Sequence, residues 1–108
     1  MRWHALMALA LAGCALGSAG CAGRAPRTYT VTIEQMRFTP AGLSVHAGDV
    51  VEWVNADLVP HTATARDGAF NSNTIAVGGT WRWTARGRGT LPYVCALHPA
   101  MSALLRVE

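Results

Sequence analysis

Cys95, His98 and Met101 follow one another at steps of three in the stretch Tyr93-Val-Cys-Ala-Leu-His-Pro-Ala-Met101. A thiolate with a thioether favours a soft, polarisable ion, and imidazole suits copper as well. Zinc would accept the Cys and the His but gains nothing from the Met. Covalent haem attachment needs a second Cys, which the stretch lacks. Taken singly, Cys95 reads as a buried thiol, His98 as a surface loop residue and Met101 as a core filler. Their combination points to a copper ligand set.

Steps of three would share one face of a helix. Here Pro99 directly follows His98, and Leu91 to Cys95 reads as a strand, so a tight loop at a strand end is the expected carrier. A trigonal site of two His and one Cys with a weak axial Met needs one more histidine. His46 and His61 are on offer, at opposite ends of the strand pattern Val50-Val-Glu-Trp-Val-Asn55. Those ends lie roughly 17 Å apart, so the two cannot both serve one site.

The first residues belong to a different task. Met1-Arg-Trp-His is followed by an apolar run from Ala5 to Ala12, shorter than the roughly 20 residues that span a bilayer. This is the pattern of an export signal. Leu11-Ala-Gly-Cys14 and Ser18-Ala-Gly-Cys21 both resemble the lipobox of bacterial lipoproteins. Cys14 has the better local residues but leaves a very short signal, so Cys21 is the expected site of acylation. The expected organisation is a signal over residues 1–20, a tether over 21–28 and one domain over 29–108. The expected location is periplasmic or otherwise extracytoplasmic, with membrane attachment through acylated Cys21 or Cys14; ordinary signal cleavage nearby, leaving a soluble protein, is the alternative. The domain then holds a single cysteine, Cys95, with no partner for a disulfide. A lone thiol in an oxidising compartment is a liability unless it is buried or metal-bound.

The 108 residues carry a formal net charge of +3 and no lysine. Arg82, Arg86 and Arg88 read as a solvated face and a turn, and nucleic-acid binding has no support. Thr30-Val-Thr-Ile-Glu34, Val50 to Asn55 and Thr80-Trp-Arg-Trp-Thr84 alternate with period two, and no sustained helical period follows residue 28. Short strands with turns every eight to twelve residues indicate an all-β sandwich or barrel. Trp53, Trp81 and Trp83 are expected in the core or on sheet faces, and Met36 in the core, with a place near the metal as its alternative. His46 is expected in a surface turn, with Asp49, Asn55 and Asp57 as turn and loop hydrogen-bonders.

From Val31 to Val107 the chain resembles the small cupredoxins, the type 1 blue copper proteins. The resemblance is carried by Ile33-Glu-Gln-Met-Arg-Phe-Thr-Pro40, Gly48-Asp-Val-Val-Glu-Trp-Val-Asn55, Asp57, Pro60-His-Thr62 and Tyr93 to Met101. Two residues between Cys95 and His98, and two between His98 and Met101, are most similar to amicyanin; plastocyanin and pseudoazurin have a longer His-to-Met gap. The resemblance implies a Greek-key β-sandwich or barrel of about seven to eight strands. It also implies one copper ion, with His61, Cys95 and His98 as equatorial ligands and Met101 as the axial one. The implied function is electron transfer by a monomer, without enzymatic activity, with redox partner proteins docking near His98. Copper storage, delivery or tolerance is the alternative. Two positions depart from the family: Thr62 stands where an Asn ties the ligand loops together, and Ala103 where a Gly is common. The surroundings of the metal are thus expected to be looser, or rebuilt around the Thr hydroxyl.

Overall fold

The structure, a computed structural model, describes residues 24–108; the expected signal, Cys14 and Cys21 lie outside the described residues. Eight strands form two four-stranded sheets. They are β1 (Thr28–Glu34), β2 (Arg37–Thr39), β3 (Gly42–Val45), β4 (Val50–Asn55), β5 (Thr64–Ala65), β6 (Thr80–Thr84), β7 (Gly89–Cys95) and β8 (His98–Val107). One sheet has the order β2-β1-β4-β6 and the other β3-β8-β7-β5. The chain passes repeatedly between the layers, giving the all-β Greek-key sandwich expected above.

Period-two alternation decides which side chains enter the core. In β4, Val51 and Trp53 are buried while Val50, Glu52 and Val54 are half-buried on the opposite face. In β8, Met101, Ala103, Leu105 and Val107 alternate with exposed Ser102, Leu104 and Arg106. Trp53 sits at the centre, its ring 5.2 Å from Phe70, 5.5 Å from Trp81 and 5.7 Å from Tyr93. Truncating such a side chain to Ala costs about 3–5 kcal/mol. Burial also pushes the Tyr93 hydroxyl up to about 12.

Two expectations are corrected. Met36 is not in the core: it is 41% exposed, in a tight turn between β1 and β2 where Gln35 and Met36 both have positive φ. That left-handed turn directs the chain back without leaving a side chain free to enter the sandwich. The stretch from Cys95 to Met101 is also more regular than a loop. β7 and β8 form a hairpin in which Cys95 pairs with His98 around the two-residue turn Ala96-Leu97. The next ladder pair is Val94 with Ser102, so Pro99, Ala100 and Met101 have no partners on β7. This bulge tolerates Pro99, which has no N–H to give to a ladder.

Candidate metal centre

The bulge explains how residues three apart converge. One step along β7 is matched by four along β8, which bends the strand and re-aims His98 and Met101. Cys95 ends β7 fully buried, His98 is half-buried, and Met101 is buried at the start of the regular part of β8.

His61 arrives from the loop after β4, which is rigid for identifiable reasons. Asn55 is buried, and its Nδ2 donates to the carbonyls of Val59 and Ile75, both at 3.0 Å. Its Oδ1 accepts the Asp57 N–H at 3.0 Å. His61 is then bonded in both directions to the Ile75 backbone, at 3.2 and 2.7 Å. His61 is completely buried. Its Nε2 lies 2.7 Å from Asp57 Oδ2, an arrangement in which the ring donates there and leaves the Nδ1 lone pair free for a metal. Asp57 is held in turn by the N–H groups of Leu58 and Met36. Those two bonds, followed by His61, hold its carboxyl below the usual carboxylate range.

His61 Nδ1 stands 3.5 Å and His98 Nδ1 3.7 Å from Cys95 Sγ. The three donor atoms all lie within 4.8 Å of one another. Nitrogen and sulfur donors at ordinary bond lengths around one first-row metal ion are separated by about 3.5–3.8 Å, so the spacing fits a shared ion. Met101 lines an open hollow at the same end with Met36, His98, Pro99 and Ala100. Two imidazoles, one thiolate and a neighbouring thioether form the donor set that suits copper.

Thr62 joins the two ligand segments. Its backbone N–H donates to Cys95 Sγ at 3.3 Å, and its Oγ1 accepts the Ala96 N–H at 2.7 Å. The surroundings are therefore rebuilt around the Thr hydroxyl. Ala103 is buried opposite Tyr93, so its methyl group is part of the core. His46 is exposed at the other end of the sandwich, near Glu108, and takes no part in the cluster.

Residues 26–108 match the copper binding proteins of the plastocyanin/azurin family. The chain belongs to that family. Within it, the chain is a small cupredoxin close to amicyanin. The chain is 29% identical over 83 residues to amicyanin of Paracoccus versutus, covering 72% of this chain and 63% of that protein's length. It is 28% identical over 105 residues to amicyanin-alpha of Methylorubrum extorquens, covering 92% of this chain and 88% of the other. A solved amicyanin variant in its Cu(I) form superposes with a TM-score of 0.71 at 27% identity, covering 78% and 85% of the two chains. A copper-containing nitrite reductase from Thermus scotoductus superposes with a TM-score of 0.70 at 28% identity, over 78% of this chain but only 22% of that one. This cupredoxin is thus a copper protein, with His61, Cys95, His98 and Met101 in the arrangement of a type 1 site.

In the sequence Asp57 reads as a loop hydrogen-bonder and as one of the residues that carry the cupredoxin resemblance, without a stated link to a ligand. Its link to the ligand His61 had one available signal: a carboxylate four residues before a histidine in a proline-containing loop.

Proposed function

We propose that this cupredoxin is an extracytoplasmic one-electron carrier. His61, Cys95, His98 and Met101 would hold its copper ion. Bound copper supplies the Cu(II)/Cu(I) couple. The carrying observation is that both Nδ1 atoms lie 3.5–3.7 Å from one buried sulfur within hydrogen-bonded, pre-formed loops. A rigid frame reorganises little when the charge at its centre changes, which favours rapid electron exchange over release of the ion.

The chain's own residues divide the remaining work. The Thr62 N–H stabilises negative charge on Cys95 Sγ. Asp57 fixes the His61 tautomer and ring plane. Burial of His61 and Cys95 keeps water from the inner side of the centre, while half-exposed His98 offers the route to the surface. Exposed Leu97 and Pro99 flank His98 in the chain, and exposed Leu58, Val59 and Pro60 precede His61, whose ring lies 5.0 Å from that of His98; Leu58 is 90% exposed. Such a patch suits brief docking of redox partner proteins. The reading is of a carrier without enzymatic activity, in line with the single donor set of His61, Cys95 and His98 beside Met101 serving electron exchange. A monomer, exported and acylated at Cys21, completes this reading, with the folded domain spanning 29–108.

The test is titration of the copper-loaded protein with a reductant and then an oxidant. An electron carrier takes up and returns one electron per copper with the ion retained. A protein for copper storage or delivery loses the ion in one of the two states, and that result would overturn the proposal.

A further inference from the structure

The end of the sandwich opposite the metal centre has a construction of its own. Thr28, Val50 and Thr84 lie level in one sheet, and Val45, Gly89 and Val107 in the other. β7 runs from Gly89 at this pole to Cys95 at the other, about 20 Å of strand. Asp49 is buried here and gathers the incoming chain. Arg24 Nη1 lies 3.0 Å from both its carboxylate oxygens, and the N–H groups of Arg27 and His46 donate to it at 2.9 Å each. The polypeptide therefore enters the domain clamped at the pole farthest from the metal.

Charge is sorted along the same axis. Arg24, Arg27, Arg86, Arg88 and Arg106 belong to this pole, against Asp49 and Glu108. The other described residues hold Arg37, Arg66 and Arg82 against four acids. The positive excess of the domain thus lies wholly at the far pole. Asp49 is occupied by Arg24, and Glu108 lies 3.9 Å from His46. Arg27, Arg86 and Arg88 are exposed, with no ion pair among the described residues. Three residue steps separate Arg24 from Cys21. They span at most about 11 Å, comparable with the ~8 Å Debye length at physiological ionic strength.

We propose that this arginine-bearing pole is a membrane-facing surface that takes anionic phospholipid headgroups, so that the copper centre points away from the bilayer. Guanidinium groups fit phosphate oxygens in pairs, which suits a headgroup better than a diffuse counter-ion. The orientation leaves His98 and its apolar surroundings open to partners. The inference rests on the extracytoplasmic reading for the presence of a membrane, but the surface chemistry does not require the acyl chain.

The experiment uses the copper-loaded protein as processed by its host, with its intact mass recorded to report acylation of Cys21 separately. Amide exchange is compared on vesicles of phosphatidylcholine alone and of phosphatidylcholine with one-quarter phosphatidylglycerol. Residues 46–49 and 85–89 are expected to exchange more slowly only where phosphatidylglycerol is present, and residues 57–61 and 96–99 to exchange equally on both. Each arginine near an anionic surface strengthens partitioning about fivefold. The Arg86→Gln, Arg88→Gln double variant should therefore partition about 25-fold more weakly, while Arg37→Gln should match the parent. Equal exchange on both lipids, protection at the metal end, or an equal effect of Arg37→Gln would overturn the proposal. A mass without an acyl chain, together with phosphatidylglycerol-dependent protection of the far pole, would remove the anchor and leave the surface standing.

Discussion

Thr62 Oγ1 accepts the Ala96 N–H at 2.7 Å, so one hydroxyl binds the segment carrying His61 to the turn between Cys95 and His98. The same oxygen lies 2.9 Å from Thr64 Oγ1, which in turn donates to Asn71 Oδ1 at 3.3 Å. The three bonds can run in one direction, each hydroxyl accepting one proton and donating its own. An Asn in this position joins the loops through an amide; here a shorter side chain does so through a relay.

Thr62→Val keeps the shape and the backbone bond to Cys95 Sγ but leaves the Ala96 N–H without its acceptor. Ala96 is exposed and the bond part-buried, so its loss costs about 0.5–1.5 kcal/mol, the net worth of an ordinary hydrogen bond. Urea unfolding of the metal-free protein should show that loss, and Thr62→Ser should recover most of it. Equal stability of the Val and Ser variants would show that the hydroxyl is not a tie.

Asp57→Asn tests the other support of the site. The neutral amide removes the negative charge beside His61 Nε2, 2.7 Å away in the parent. Loss of such a partner typically lowers metal affinity 10–100-fold. Cu(II) carries more charge than Cu(I) and loses more from the change, so the reduction potential should rise. Competition with a chelator and a voltammogram check the two effects, and an unchanged potential with unchanged affinity would reduce Asp57 to a loop residue.

Acid should weaken the far pole in a defined window. The N–H groups of Arg27 and His46, with further help from Arg24, hold Asp49 at about 2, below its ordinary 3.8. A carboxyl whose folded value is depressed binds its proton more readily unfolded, so its contribution is complete above about 4 and is lost as pH falls toward 2. Urea midpoints of the parent should therefore fall across that interval. Asp49→Asn should be less stable at neutral pH and show a shallower acid limb; parallel limbs would contradict the assignment.

The apolar surroundings of His98 can be tested without a known partner. Electron self-exchange between oxidised and reduced copies requires two such faces to meet. Leu97→Glu places like charges in that contact and should slow self-exchange, read from NMR line widths, by about tenfold or more. The visible spectrum should not move, because Leu97 is exposed and supplies no donor atom.

Much of this was legible in the residues because it depends on period and spacing. The alternation in Val50 to Asn55 foretells the buried Val51 and Trp53, and the short step from Cys95 to His98 marks two of the three clustered donors. The hairpin at Cys95-His98 was hidden because Pro99 argues against a ladder, and only the bulge reconciles the two. The apolar type of Met36 suggests the core, whereas a turn with positive φ decides its exposure. Asp57 was under-read because its role depends on a loop path set by the buried Asn55, through contacts that composition does not reveal.

The visible absorption of the copper-loaded protein tests the ligand set most directly. Cys95 bound to Cu(II) should give an intense blue charge-transfer band. That band should vanish in Cys95→Ser, be lost or strongly altered in His61→Ala, and persist unchanged in His46→Ala. A colourless Cu(II) complex, or a band that depends on His46 and not on His61, would contradict the site.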